Sequence, residues 1–338
     1  MANYSPELRQ DVLTNTWVAC APNRNGRPLK TNVESAPSAP SDPTPVNGCP
    51  FCPGHEEELP DILWERDADD DRPWATRSVP NKYPALDPEV APASCESGLY
   101  RTRRNHGRQE VIIDTPHHNQ GLAQMPVEQV EAVLHTYRVR YRALRRETPD
   151  LYPFVFRNHG GRAGASIPHP HSQVIATDFP PPRIAREETN ARERYEETGQ
   201  CPYCEMIAEE LRAEARLVAT NDTFVMFVPF AAQMPGELWI LPRTHSPEFG
   251  HMTPSQRAAL APLLRKAARR YYVHLDDPAF NLYVRTALEH ESDAPHLHWH
   301  LRLRPRTSRR AGFELSTDVQ VNPSIPERDA ELLRTEPY

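Results

Sequence analysis

The feature that most constrains this chain is that it contains one ordered set of elements twice. A C-x-x-C knuckle, Cys49-Pro-Phe-Cys52, precedes a strand-like run at Glu110–Asp114, a histidine at 118 and an amphipathic segment. A second strand-like run, Tyr152–Phe156, then leads to His169-Pro-His171. The order restarts at Cys201-Pro-Tyr-Cys204 and continues through Glu237–Leu241, His245, a second amphipathic segment, Phe280–Val284 and His298-Trp-His300. The interval from the single histidine to the H-x-H pair is nearly equal in the two halves. Recurrence of this kind marks a duplicated unit and constrains the fold more than local propensity does.

Within each unit the periodicity is legible. Val130, Val133, Leu134, Tyr137, Tyr141 and Leu144 recur at helical spacing, which predicts a helix from about Pro126, where proline suits the first turn. Leu260, Leu263, Leu264, Ala267 and Tyr271 predict its counterpart from about Pro254. The arginines between 138 and 146 read as the exposed face of the first helix, and Arg183–Glu197 as a charged connecting segment.

Each knuckle can be grouped with the histidines of its own half. That gives Cys49, Cys52, His118 and His169 as one set, and Cys201, Cys204, His245 and His298 as the other, with His296 and His300 as competing ligands in the second. Two thiolates and two imidazoles suit a four-coordinate Zn²⁺ that keeps no open position, so the expected metals are structural. The second site is expected to hold zinc or iron.

The H-x-H of the first half carries the chemistry. Histidines at i and i+2 in extended backbone project from one face. If His169 is pinned by metal, His171 faces the pocket from a fixed backbone as a neutral nucleophile for phosphorus. Gln173, on the same face, can donate to a non-bridging oxygen as charge builds there. The approach Asn158-His-Gly-Gly-Arg-Ala-Gly164-Ala-Ser166 is rich in glycine, and its main-chain N–H groups together with Ser166 can hold a neighbouring phosphate. Arg24 and Arg27, three apart in a turn after Trp17-Val-Ala, are phosphate-site candidates.

With 38% hydrophobic and 25% charged residues, the chain reads as globular, and a net charge of −7 argues against a general nucleic-acid or membrane binder. The opening residues lack a secretion-signal pattern, so the expected compartment is the cytoplasm, where paired cysteines favour metal over disulfides.

The glycine-rich approach and His169-Pro-His171-Ser-Gln173, preceded by Cys49-Pro-Phe-Cys52, resemble galactose-1-phosphate uridylyltransferase and its relatives in the histidine-triad superfamily. The likeness spans Pro22-Asn-Arg24-Asn-Gly-Arg27 to Gly312-Phe313-Glu314 and Gln320. It implies an α+β architecture of two histidine-triad-like halves, 1–195 and 196–338. Each half should be an antiparallel sheet with a packed helix, the two joining in one extended sheet. It also implies a homodimeric enzyme that exchanges UDP-glucose and galactose 1-phosphate for UDP-galactose and glucose 1-phosphate through a uridylyl group on His171. By the same resemblance Gln173 stabilises that intermediate, and Arg24, Arg27, Asn81, Asn158, Gly164 and Ser166 surround the nucleotide and its phosphates. Phe313, Glu314 and Gln320 match the tail that contacts the hexose phosphate, often from the partner subunit. The Cys201/Cys204 pair departs from the best-known bacterial transferases and is similar to the branch that includes an ADP-glucose phosphorylase, the alternative activity. A non-enzymatic zinc module is the distant alternative.

Overall fold

The structure, a computed structural model, describes residues 5–26, 45–68, 70–288 and 294–335. In the first half the strands are β1 (Glu7–Gln10), β2 (Trp17–Cys20), β3 (Trp64–Arg66), β4 (Thr76–Pro80), β5 (Ser94–Ser97), β6 (Tyr100–Arg103), β7 (Gly107–Ile113), β8 (Tyr152–His159) and β9 (His171–Thr177), with helix α1 (Val127–Glu147) between β7 and β8. Helices α2 (Pro182–Thr198) and α3 (Pro202–Ala213) follow, then β10 (Leu217–Thr220), β11 (Phe224–Phe227), β12 (Leu238–Pro242), α4 (Pro254–His274), β13 (Phe280–Arg285) and β14 (His300–Pro305). The tail comprises α5 (Gly312–Thr317), β15 (Gln320–Asn322) and α6 (Pro326–Arg334).

One sheet of ten strands runs in the order β10-β11-β12-β14-β13-β8-β9-β7-β4-β3, and every pairing in it is antiparallel. Five strands come from each repeat, and the two sets meet where β8 pairs with β13. The α+β architecture with one extended sheet that the resemblance implies is therefore present. A separate three-stranded sheet, β1-β2-β15, ties the tail to the start of the chain.

Helices α1 and α4 cover one face. Val130, Val133, Leu134, Tyr137, Tyr141 and Leu144 are all buried there with Leu260, Leu264, Ala267 and Tyr271. Alternate residues of the strands, such as Val174 and Ala176, point into this core, which sends His171 and Gln173 to the opposite face. Helix α4 starts where expected because Thr253, just ahead of Pro254, and Gln256 in the first turn form a reciprocal capping box.

The sequence reading differs from the structure in three places. Arg140 and Arg145 are buried, Arg140 on Glu110 through two 2.7 Å hydrogen bonds and Arg145 on the Leu288 carbonyl at 2.8 Å; only Arg142 and Arg146 keep to the exposed face. The charged segment 183–197 is helix α2, whose buried residues are Glu187 and Ala191, too few to give an apolar stripe. His169 lies just before β9, which His171 opens.

Gly107 begins β7, and a Cβ there would collide with the Ala176 carbonyl and with Leu86. Gly107→Ala is expected to destabilise the protein by roughly 2–4 kcal/mol, because the obstacle includes rigid backbone of the central sheet. Urea denaturation would read this as a lower midpoint at unchanged slope.

Candidate active site

The first knuckle is a run of turns. Main-chain hydrogen bonds from Cys49 to the Val46 carbonyl and from Cys52 to the Cys49 carbonyl aim both thiols inward, and the Val46 N–H reaches the Cys52 Sγ at 3.4 Å. Cys52 Sγ lies 3.4 Å from His118 Nδ1 and 3.6 Å from His169 Nδ1, and Cys49 Sγ lies 3.6 Å from the latter. A tetrahedral Zn²⁺ with bonds of about 2.3 Å to sulfur and 2.0 Å to nitrogen needs sulfur–nitrogen edges of about 3.5 Å. All four residues are buried, and the Thr115 carbonyl holds His169 Nε2 at 2.7 Å, leaving Nδ1 for a metal.

The second half repeats this with different local structure, since Cys201 caps α3 and Cys204 sits in its first turn. Cys204 Sγ is 3.6 Å from both His245 Nδ1 and His298 Nδ1, and the Pro242 carbonyl takes the place of Thr115 on His298 Nε2 at 2.9 Å. His245 is exposed, so this set is open at one corner. His298 joins the cluster; His300 makes other contacts, described below.

His171 lines a cavity of about 460 Å³ with Asn158, Gly160, Gly161, Ser166 and His159. Its Nδ1–H donates to the His169 carbonyl at 2.9 Å, so Nε2 carries the free lone pair. Burial lowers the pKa of the imidazole, partly opposed by that hydrogen bond, and the Arg157 charge lowers it further. Phe51 of the knuckle packs against the ring, centroids 5.5 Å apart. Beneath the strand, Ser172 bonds both Tyr137 (2.5 Å) and Asp114 (2.8 Å), and Arg157 closes the ion pair with Asp114.

Gln173 is oriented by a residue the sequence reading did not single out. The Ala85 N–H donates to Gln109 Oε1 at 2.9 Å, so Gln109 Nε2 must donate to Gln173 Oε1, 2.8 Å away. That leaves the Gln173 amide N–H groups free for an anion. Asn81 adjoins the same pair, its N–H on the Gln109 carbonyl at 2.8 Å. Gln109 gives no local signal: it is one polar residue in a strand, and only its pairing across the sheet reveals it.

Gly164 has φ +100, and a Cβ on it would crowd the Asn158 amide at 3.3 Å. Gly164→Ala is expected to lower activity at least tenfold while leaving the core intact, by straining the turn and displacing Asn158. Steady-state rates compared with thermal melting would separate the two effects.

The remaining candidate residues lie elsewhere in the chain. Arg24 is exposed in the turn Pro22–Gly26, and Arg27 lies outside the described residues. Glu314 and Gln320 line a neighbouring cavity of about 660 Å³ with Arg162, Arg304, Arg306 and Arg309. Phe313 is 54% exposed. Within one chain the structure thus gathers His171, Asn158 and Ser166, with Gln173, Asn81 and Gly164 alongside, but not the tail or Arg24.

The second H-x-H shows what the first retains. His300 Nδ1 also meets the carbonyl two residues back, His298, at 2.9 Å, but Arg302 stands where Gln173 would be, and its Nε–H donates to His300 Nε2 at 2.9 Å. Glu187 from α2 pairs with Arg302 at 3.0 Å and Arg285 at 2.9 Å. Burial would raise the Glu187 pKa, yet these arginines and Arg183 hold it down to about 2. A buried carboxylate and a tied-up imidazole fill the space, and the pocket shrinks to about 20 Å³.

Residues 1–181 match the family described as galactose-1-phosphate uridyl transferase, N-terminal domain, and residues 119–334 match a domain of unknown function, DUF4921. Over 337 residues the chain is 34% identical to an ADP-glucose phosphorylase of Arabidopsis thaliana, covering 98% of this chain and 93% of that protein. It is 30% identical over 337 residues to a galactose-1-phosphate uridylyltransferase of Thermotoga maritima, covering 97% and 98%. The crystal structure of an Arabidopsis thaliana ADP-glucose phosphorylase with bound ADP-glucose is similar at a TM-score of 0.83 and 30% identity, over 99% of this chain and 100% of that one. This chain is an enzyme of the galactose-1-phosphate uridyl transferase family, whose chemistry is nucleotidyl transfer.

Proposed function

We propose that this enzyme moves a nucleoside monophosphate between a nucleotide sugar and a phosphate-bearing acceptor through a covalent bond to His171. The observation that carries this is the state of His171, whose Nδ1–H is fixed on the His169 carbonyl while Nε2 is free in the cavity. Nε2 attacks the α-phosphorus, a P–N bond forms, and the bond from that phosphorus to the oxygen of the hexose 1-phosphate breaks, releasing it. A phosphate oxygen of the acceptor then attacks the same phosphorus and the P–N bond breaks. Gln173, turned by Gln109, donates to the non-bridging oxygens as their charge rises. Asn158, Gly164 and Ser166 hold the phosphates, and Asn81 lies toward the nucleoside.

Cys49, Cys52, His118 and His169 would hold Zn²⁺, and Cys201, Cys204, His245 and His298 a second zinc or an iron. Both ions would be structural, the first fixing the His169 carbonyl that sets the His171 tautomer. Arg24, Arg27, Phe313, Glu314 and Gln320 would serve the active site of a second copy of the chain in a homodimer. The arginines around Glu314 and Gln320 supply the charge a hexose phosphate needs.

The first donor we propose is ADP-glucose, with inorganic phosphate as acceptor. Support comes from the full-length likeness to the ADP-glucose phosphorylase and from the Cys201/Cys204 pair. UDP-glucose with galactose 1-phosphate is the second reading, favoured by His169-Pro-His171, Gln320 and the likeness to the Thermotoga maritima enzyme. Rapid mixing of the enzyme with each nucleotide sugar alone separates them. A burst of one hexose 1-phosphate per active site with ADP-glucose, discharged by phosphate, is expected; a burst only with UDP-glucose establishes the second reading, and a burst with neither overturns both.

His300→Ala is expected to keep turnover per folded molecule within about threefold, since its Nε2 is already committed to Arg302. Comparing active-site titration with initial rates checks this.

A further inference from the structure

We propose that Asn281, on β13 of the second half, is a positioning residue that sets which end of the Asn158 amide faces the His171 cavity. The inference rests on the reading that this cavity takes a nucleotide phosphate. Asn281 stands directly opposite Asn158 in the strand pair that joins the two repeats.

Its orientation follows from partners whose roles are fixed. Arg306 is only a donor, and its Nε lies 2.6 Å from Asn281 Oδ1, so that end of the amide is the oxygen. The Ala163 carbonyl is only an acceptor and lies 2.8 Å from Asn281 Nδ2. The second Nδ2 hydrogen then donates to Asn158 Oδ1, 2.8 Å away. With its oxygen taken, Asn158 has its Nδ2 at the other end, 3.4 Å from the Gly164 carbonyl, with a hydrogen to offer a phosphate oxygen. The Ala163 bond fixes the glycine-rich loop through the same side chain. One amide from the second repeat thus orients two parts of the phosphate site in the first. This gives the second half a task although its own H-x-H pocket is filled.

Asn281→Asp isolates the role. The carboxylate keeps the Arg306 contact but cannot donate to Asn158 or Ala163, and its charge repels both oxygens. The rate of nucleotidyl transfer to His171 is expected to fall roughly ten- to hundredfold. In an Asn158→Ala background the same change should cost only part of that penalty, because the Asn158 amide is already gone and only the bond to the Ala163 carbonyl remains to be lost. Equal penalties in the two backgrounds would overturn the positioning role, as a general packing defect adds independently. Hydrogen–deuterium exchange of residues 158–164 reads the positioning without catalysis: exchange should quicken in Asn281→Asp and stay protected in His300→Ala. Unchanged exchange in Asn281→Asp overturns the inference, whereas absence of any transfer to His171 in the unmodified enzyme overturns the nucleotide reading and leaves the exchange result to judge Asn281.

Discussion

His171→Ala is expected to abolish nucleotidyl transfer, by at least about a thousandfold, while leaving both metal sites loaded. The effect should be this large because its neighbours in the motif, His169 and Gln173, cannot substitute. His169 Nδ1 lies among the thiols of Cys49 and Cys52, with Nε2 on the Thr115 carbonyl. Gln173 is an amide without a nucleophilic lone pair. His171 is 6% exposed, and its ring is held by Phe51 and the His169 carbonyl, so its removal leaves a cavity in a rigid wall rather than a collapsed site. Metal analysis of the same sample by atomic emission checks that the loss is chemical. Turnover within tenfold of the unmodified enzyme would remove His171 from the reaction.

The second large effect is expected from Cys52→Ala. Cys52 lies within 3.6 Å of both histidines of the first set, so the substitution should empty that site. Structural zinc contributes about 10–16 kcal/mol of apparent binding free energy in small zinc-dependent peptides, as much as the whole stability of an ordinary domain. Here a large sheet core shares the load, so a loss of roughly 5 kcal/mol and a fall in Tm of about 10–20 °C is the reasonable expectation. Activity should be lost as well, because Phe51 and the His169 carbonyl, both anchored by the knuckle, orient His171. Cys204→Ala is expected to lower Tm with a much smaller effect on turnover, since the pocket above the second site is already filled by Glu187 and Arg302. Scanning calorimetry with metal analysis on both variants would show this. Equal losses of turnover would mean that the first site has no special hold on the nucleophile.

The architecture was legible in the sequence to the extent that it depends on repetition and periodicity. The order of strand, histidine, helix and H-x-H recurs, and the apolar spacings from Val130 to Leu144 and from Leu260 to Tyr271 register with the same face of the sheet. What depends on contacts distant in sequence was not. Arg140 and Arg145 read as surface charges until Glu110 and the Leu288 carbonyl are brought beside them. Helix α2 carries too few apolar residues to announce itself, because its inward residues are Ala191 and Glu187, the latter balanced by arginines from two strands. Gln109 and Asn281 are single amides, and each meets its partner, Gln173 or Asn158, only when a neighbouring strand of the sheet is laid beside it. The tail shows the same limit in reverse. Glu314 and Gln320 are recognisable by motif, yet in one chain they line a cavity beside the one that holds His171.

The central claim is the covalent bond, and mass spectrometry tests it most directly. The enzyme should be mixed with ADP-glucose or UDP-glucose without acceptor, quenched at alkaline pH, where a phosphoramidate survives, and digested. The peptide containing His171 is expected to gain the mass of one nucleoside monophosphate less water, to carry it on the imidazole, and to lose it when acceptor is added before the quench. Turnover with no such adduct on His171, or with the adduct on another residue, would contradict the account.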